Sequence, residues 1–148
     1  MTTVRTLLEA KPSATNYSVA STDTVLQAVK LMVDAHIGAV LVKENDKIVG
    51  IYTERDYLRK GEYEGRCAKE TLIKDVMVKK MITVGYDTSL EQCMALMRQY
   101  SIRHLPVVDN DRLVGLVSMR DVMAAVLDDK DIEIRGLENY IMGSGFQS

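Results

Sequence analysis

The sequence has few of the residue patterns that identify a metalloprotein, a disulfide-rich protein or a common enzyme class. Only Cys67 and Cys93 are cysteines, and they share no C-x-x-C or His-rich neighbourhood, which argues against a disulfide framework and against a zinc site. No P-loop, metal-ligand cluster or Ser-His-Asp order can be read from the chain. These absences disfavour, without excluding, a catalytic role.

The chain also lacks a basic excess and a long apolar run. Its net charge of -2 and pI near 5.7 argue against a non-specific grip on nucleic acid or on an anionic membrane. No apolar run approaches the roughly 20 residues that span a bilayer, and residues 1–11 lack the apolar segment of a signal peptide. We therefore expect a globular protein with no membrane segment and a cytoplasmic location.

An internal repeat organises the 148 residues. Residues 19–57 and 84–122 align at a constant offset of 65 without a gap, with 12 identities in 39 positions. The identical pairs include Gln27/Gln92, Asn45/Asn110, Gly50/Gly115, Arg55/Arg120 and Asp56/Asp121. Two copies of this length predict a pair of units that stack and bury shared apolar faces.

Each copy predicts the same five elements in the order β-α-β-β-α. Thr24-x-x-Gln27 and Ser89-x-x-Gln92 are capping boxes that start a helix, and Asn-Asp pairs predict a hairpin turn. The first copy places its strands at 17–20, 39–42 and 48–52 and its closing helix at 54–60. The second copy places its strands at 82–85, 105–108 and 113–117 and its closing helix at 119–127. The fold class is therefore α/β, or more strictly α+β, with the two units related by a pseudo-two-fold axis.

The ends and the linker complete the organisation. We divide the chain into an N-terminal helix and lead-in (1–16), unit 1 (17–60), a linker (61–81), unit 2 (82–127) and a C-terminal helix and tail (128–148). A short helix before Pro12 must dock on the body, and the charged residues 128–131 predict a break before the last helix. That last helix, with Ile134 and Leu137 on its apolar side, either packs on the module or forms a dimer contact.

The junction between the last strand and the closing helix carries the chemistry of each copy. Thr53 precedes Asp56 by three residues, and Ser118 precedes Asp121 in the same way. One interpretation is a capping box, in which the hydroxyl and the carboxylate satisfy free N–H groups. The other is a nucleoside site, in which the carboxylate accepts hydrogen bonds from a ribose diol. The coincidence of motif and repeat favours the second interpretation.

These junctions, the β-α-β-β-α repeat and the stretch from Ile102 to Asp109 together resemble CBS domains. The resemblance covers roughly residues 17–127. Over this range the sequence is similar to a stand-alone pair of CBS domains, called a Bateman module, of the bacterial and plant-organelle type. It implies a regulatory module without catalytic activity that binds AMP, ADP, ATP or NAD(H), with S-adenosylmethionine a weaker candidate, between the two units.

The resemblance also implies roles for individual residues. Asp56 and Asp121 would hold ribose hydroxyls, with Thr53 and Ser118 nearby, and Arg103 and His104 would bind phosphate, since a guanidinium suits that anion. In such pairs a lead-in segment of one unit closes the site of the other. The resemblance therefore places Lys79, Lys80, Met81 and Thr83 beside Asp56. By the same rule the resemblance places Asn16, Tyr17 and Ser18 beside Asp121.

Three functions remain open at this level. The first is a nucleotide sensor that forms a homodimer and signals to an unidentified effector protein, with no catalytic cofactor, nucleic acid or membrane involved. The second is a structural dimerisation module with vestigial sites. The third is an enzyme that processes a nucleotide, for which acids, a histidine and cations exist but no recognisable catalytic motif.

Overall fold

A computed structural model describes residues 2–10 and 17–143, without the side chains of 131–133 and 139–143. The strands are β1 (Ser18–Ala20), β2 (Ala39–Glu44), β3 (Lys47–Thr53), β4 (His104–Asp109) and β5 (Arg112–Ser118). The helices are α1 (Val4–Glu9), α2 (Val25–Ala35), α3 (Glu54–Asp56), α4 (Leu90–Tyr100) and α5 (Met119–Gly143). A π-helical turn, Tyr57–Glu62, continues α3, and a 3-10 turn covers Ile73–Asp75.

Unit 1 is a three-stranded sheet covered by α2. β1 pairs with β2 in parallel, and β2 pairs with β3 in antiparallel. The predicted capping box at Thr24 and Gln27 starts α2, and His36 ends it in the left-handed conformation. Val25, Ala28 and Met32 of α2 are buried against Val40, Val42 and Tyr52 of the sheet, so the apolar stripe of the helix faces the core as its spacing predicts.

Both predicted hairpins are present and use the same turn. Asn45 and Asp46 have φ angles of 51° and 61°, and Asn110 and Asp111 have φ angles of 50° and 60°. Two successive positive φ values define the turn that matches the twist of antiparallel strands. Asn and Asp tolerate this conformation better than most residues, so the two hairpins are determined locally.

Unit 2 repeats this arrangement of sheet and covering helix, but its first strand is reduced. Its capping box at Ser89 and Gln92 starts α4, and the antiparallel pair β4 and β5 forms as predicted. The strand predicted at 82–85 is reduced to one parallel bridge between Val84 and Val107. Two backbone hydrogen bonds, Val84 N to Pro106 O and Val108 N to Val84 O, hold this bridge, so the chain keeps the predicted position without forming a regular strand.

The lead-in segments are exchanged between the units. α1 precedes unit 1 but docks on unit 2, where Val4 N donates to Thr88 O and Thr3 bridges Ser89. The 3-10 turn precedes unit 2 but docks on unit 1 with equivalent bonds, Ile73 N to Asp23 O and a bridge between Leu72 and Thr24. Val4 and Ile73 are both fully buried. Each unit therefore completes its core with a segment that precedes the other.

The two sheets pack against each other through a small apolar cluster. Ala39, Leu41 and Ile51 of unit 1 are buried together, and Leu113 and Leu116 of unit 2 pack against them. Val78 and Met81 of the linker join the same cluster. Stacking through a shared apolar face is what the repeat predicts.

The C-terminal region corrects one prediction. The charged residues 128–131 do not end the closing helix of unit 2, because α5 runs without interruption from Met119 to Gly143. The stretch contains neither Gly nor Pro, the two residues that disfavour a helix most. Ile134 and Leu137 are exposed on it. In the described part of the chain no helix has both the length and the apolar character of a membrane span.

Candidate functional site

Both hydroxyl–carboxylate pairs form reciprocal capping bonds. Asp56 Oδ2 accepts from Thr53 N and from Thr53 Oγ1, each at 3.0 Å, and Asp56 N donates to Thr53 Oγ1 at 3.3 Å. In unit 2 Asp121 Oδ2 accepts from Ser118 N at 2.8 Å, and Asp121 N donates to Ser118 Oγ at 3.1 Å. The capping interpretation is thus confirmed in both copies, and it engages only one oxygen of the Asp56 carboxylate in these bonds.

The ends of the two sheets that carry these pairs lie close together. Ala39 is opposite Thr53 in unit 1, and His104 is opposite Ser118 in unit 2. A β-carbon built on Gly38 would lie 3.1 Å from Glu54 Oε1 and 3.5 Å from His104 Cε1. His104 of unit 2 therefore lies against the start of β2 and α3 in unit 1, and the two motif-bearing ends border one region.

The basic pair of unit 2 lies at the start of β4, with Arg103 just before the strand and His104 as its first residue. Arg103 is exposed and His104 is partly buried. Arg103 also contributes its backbone, because its carbonyl accepts from Met119 N at 2.7 Å and so holds the start of α5. Gly38, its counterpart in unit 1, accepts from Glu54 N in the same way at 3.1 Å.

A further contact joins the two units beside this region. The Arg55 guanidinium donates through Nη1 to the Ser101 carbonyl, where α4 ends in the left-handed conformation. Arg55 is one of the residues that the two copies of the repeat share. The structure assigns it to a helix C-terminus, where a cation is favoured by the free carbonyls.

Lys60 is the site residue that sequence reasoning missed. Lys60 Nζ donates to Val76 O at 3.0 Å and lies 3.8 Å from Asp56 Oδ1. The Asp56 side chain is only 12% exposed. The signal was present in the sequence as the i, i+4 spacing of Asp56 and Lys60, which places opposite charges one helical turn apart.

Tyr52 is a second unforeseen feature of unit 1. Its side chain is fully buried, and its hydroxyl has no hydrogen-bond partner within the described part of the chain. Burial raises the pKa of Tyr52 to about 12, and the charges of Asp56 and Tyr57 add to the shift. The phenol is therefore neutral in the folded protein at any physiological pH. Val117 occupies the equivalent position in unit 2.

The linker residues named for the Asp56 site lie in two different environments. Lys79 and Lys80 are exposed, whereas Met81 packs in the cluster between the sheets. The bridge between Val78 and Ile51 is antiparallel, so the chain after Val78 runs back along β3, away from Thr53. Their roles, and that of the exposed Thr83, stay predictions.

The residues named for the Asp121 site belong structurally to unit 1. Ser18 pairs with Leu41 in β1, and Tyr17 accepts from Leu41 N and packs on the unit 1 core. Asn16 lies outside the described residues. Their contribution to a ligand at Asp121 stays a prediction.

Two open grooves are found in the described structure. One, of about 520 Å³, separates α2 from the α3 region and is lined by Met32, Val33, His36, Tyr57 and Leu58 among others. The second, of about 530 Å³, lies on unit 2 and includes Thr83, Gln92 and Leu96. Both are mainly apolar and neither includes Asp56 or Asp121. Among described residues no group of His, Cys, Asp or Glu is arranged to hold a metal ion.

The repeat, the paired junctions and the stacked sheets together define a tandem CBS-domain protein. The CBS domain family model matches residues 12–62 and 73–128, and the chain therefore belongs to the CBS domain family. The matched ranges include both hydroxyl–carboxylate pairs and the 3-10 turn, but not α1.

Individual relatives agree with this assignment. The chain is 37% identical over 150 residues to the mitochondrial CBS domain-containing protein CBSX3 of Arabidopsis thaliana, covering 96% of this chain and 73% of that protein. It is 43% identical to a CBS-domain protein of known structure from Burkholderia ambifaria, with a TM-score of 0.83 over 86% of this chain and 96% of that one. A CBS domain pair crystallised with 5′-methylthioadenosine and S-adenosyl-L-methionine shares the fold at 24% identity, with a TM-score of 0.72 and coverage of 84% and 99%.

Proposed function

We propose that this chain is a non-enzymatic regulatory module that binds an adenosine-containing ligand between its two CBS units and transmits binding to a partner protein. The observation that carries the proposal is the pair of buried or half-buried aspartates, Asp56 and Asp121, at the ends of sheets that border one region. A carboxylate suits a ribose diol because it offers two acceptor oxygens and no donor.

The geometry at Asp56 supports a dual role. Oδ2 accepts the two capping bonds, and Oδ1 faces the Lys60 ammonium at a distance of 3.8 Å. A diol hydroxyl can therefore donate to Oδ1 while Oδ2 continues to cap the helix. The side chains of Arg103, His104 and Ser118 around the motif ends provide donors for the rest of a nucleotide.

The proposed ligands are AMP, ADP, ATP and NAD(H), with S-adenosylmethionine as a less favoured candidate. The fold neighbour that was crystallised with two adenosine-containing compounds supports this chemical class, although its identity to the chain is too low to choose among its members. A homodimer, an effector protein and a cytoplasmic location also belong to this proposal.

We expect at least one of these five ligands to bind, with an affinity that depends on the aspartates. Asp56→Asn and Asp121→Asn retain an oxygen that can cap the helix but lose one acceptor and the charge, so each should weaken binding at its own site by about tenfold or more. Calorimetry measures the affinity, and thermal shift is a first screen because a ligand at 100 times its dissociation constant adds about 2.7 kcal/mol.

The matched controls are Gln27→Ala and Gln92→Ala, which each break a capping box far from the motif ends. They should lower stability without changing affinity. Failure of all five ligands to bind the wild-type protein would refute the proposed function. An enzymatic role would be indicated instead if chromatography detected conversion of a nucleotide during prolonged incubation.

A further inference from the structure

Lys60 lies where the closing helix of unit 1 meets the linker. Its ammonium donates to the Val76 carbonyl at 3.0 Å and lies 3.8 Å from Asp56 Oδ1. Val76 belongs to the linker that leads into unit 2, and its side chain is buried in the unit 1 core. One cation therefore joins the carboxylate of the proposed ligand site to the segment that connects the two units.

The backbone around Lys60 has an unusual geometry. Residues 57–62 form a π-helical turn, in which Tyr63 N donates to Leu58 O five residues earlier, at 2.9 Å. The turn buries Gly61, where a β-carbon would lie 3.3 Å from the Tyr57 ring. Turns of this kind are rare and are frequently found at functional sites. Here the wide turn carries the residue that contacts Asp56.

Unit 2 provides an internal comparison. At the offset of the repeat, Ala125 occupies the place of Lys60 on a regular α-helix. Leu7 of α1 occupies the place of Val76, as the matching hydrogen bonds of the two lead-in segments show. The repeat therefore has a lysine at this position only in unit 1, so the connection between carboxylate and lead-in segment is a property of that unit and not of the fold in general.

We propose that Lys60 is a positioning residue of the Asp56 site, which orients the carboxylate for its ligand and makes binding there depend on the attachment of residues 73–78. The inference rests on the proposed function, since Asp56 must bind a ligand for the coupling to matter. A hydroxyl that donates to Oδ1 takes a place beside the ammonium, which keeps its bond to Val76 O. A correctly held linker and a bound ligand thus stabilise each other.

Three variants test this inference. Lys60→Met replaces the aliphatic part of the side chain but removes its charge and donors. Lys60→Arg keeps a charge and donors, and Lys30→Met removes an exposed lysine of α2 as a matched control. The probes are AMP and S-adenosylmethionine, with affinity measured by calorimetry. Hydrogen exchange of the amides of Val76, Met77 and Val78 reports on the attachment of the linker.

We expect Lys60→Met to weaken binding at the Asp56 site by about three- to tenfold, as for a partly exposed charged contact. The three amides should exchange faster in this variant without ligand and should gain less protection when ligand is added. Lys60→Arg should recover most of both effects, and Lys30→Met should behave as wild type. A residue that only stabilised the helix would change the exchange of the helix but not the affinity.

The outcomes separate this inference from the proposed function. If neither probe binds the wild-type protein, ADP, ATP and NAD(H) are tested in their place, and failure of all five ligands overturns the proposed function and the inference with it. If either probe binds wild type and Lys60→Met with equal affinity, the function stands and the inference is overturned. Unchanged exchange of the three amides in unliganded Lys60→Met also overturns it.

Discussion

At the scale of single residues, the carboxylate of Asp56 combines a structural task with the proposed ligand task. Its Oδ2 stabilises the start of a helix, and its Oδ1 lies in a nearly buried environment beside one cation. Capping boxes are common and do not by themselves indicate a ligand. The second copy, and the meeting of both copies at one region, distinguish this pair from an ordinary helix start.

Tyr52 allows a test of an unsatisfied buried group. We expect Tyr52→Phe to raise the free energy of unfolding by about 1 kcal/mol at pH 7, because it removes a buried hydroxyl that lacks a partner in the described structure. Above pH 10 the wild-type protein should lose stability with rising pH, since the phenol ionises near 10.0 when unfolded but near 12 when folded. Urea unfolding at pH 7 and pH 10.5 measures both effects.

Between these two pKa values the ionisation of Tyr52 should lower the free energy of unfolding of the wild-type protein by at most about 1.4 kcal/mol per pH unit. Tyr52→Phe should not show this contribution. Tyr63→Phe is the control, because Tyr63 is 89% exposed. A clear destabilisation by Tyr52→Phe at pH 7 would contradict the expectation and would mean that the hydroxyl has a partner, such as a buried water.

At the scale of secondary-structure elements, the two glycines of the repeat make room for the exchanged lead-in segments. A β-carbon at Gly50 would lie 2.8 Å from Met77 Sδ and 2.9 Å from Val78 O, and one at Gly115 would lie 2.7 Å from Leu8 Cδ2. Met77 and Leu8 occupy equivalent positions in the two lead-in segments. The repeated glycine is therefore explained by a close approach, not by an unusual backbone angle.

We expect Gly50→Ala to destabilise the protein by about 1–3 kcal/mol, as for an overpacked core, and Gly115→Ala to cost less. Val78 O is backbone held by a 2.9 Å bond from Ile51 N and cannot yield easily, whereas the end of the Leu8 side chain can rotate. Urea unfolding measures both variants.

Gly85→Ala is the control for these glycines, since a β-carbon there would meet only Val108 O at 3.9 Å, an ordinary contact. Equal costs for Gly50→Ala and Gly115→Ala would show that the backbone contact at Val78 is no more rigid than the Leu8 side chain.

The helices show where local pattern is sufficient and where it is not. α2 and α4 were predicted from capping boxes and apolar spacing, and both are present with their boxes formed. α5 continues through the expected break, because a run of exposed charges carries no signal that ends a helix. The π-helical turn after α3 was not predicted, since the sequence pattern indicated an ordinary helix over residues 54–60.

At the scale of the whole molecule, α5 presents apolar side chains without cover in the described structure. Leu127 and Leu137 are 61% and 64% exposed. We expect the protein to be a dimer with twice the chain mass of 16.6 kDa, and the double substitution Leu127→Glu with Leu137→Glu to weaken the dimer, because it places charges in an apolar contact. Size-exclusion chromatography with light scattering measures the mass.

The control for this prediction is Leu26→Glu, which changes an exposed leucine on α2. A wild-type monomer would contradict the dimer itself. A dimer that persists in the double variant would place the interface elsewhere on the molecule.

The sequence by itself determined the repeat, the hairpin turns, the capping boxes and the family, because each depends on residues that are close in the chain and on chemistry that acts locally. It also identified the aspartate pair as the centre of the candidate site. Only the tertiary structure decided the rest: the exchange of lead-in segments, the contact of Lys60 with Val76, and the burial of the Tyr52 hydroxyl, which has no partner within the described residues. These features depend on contacts between segments far apart in sequence. The local sequence pattern of a segment does not indicate which distant segment it will contact.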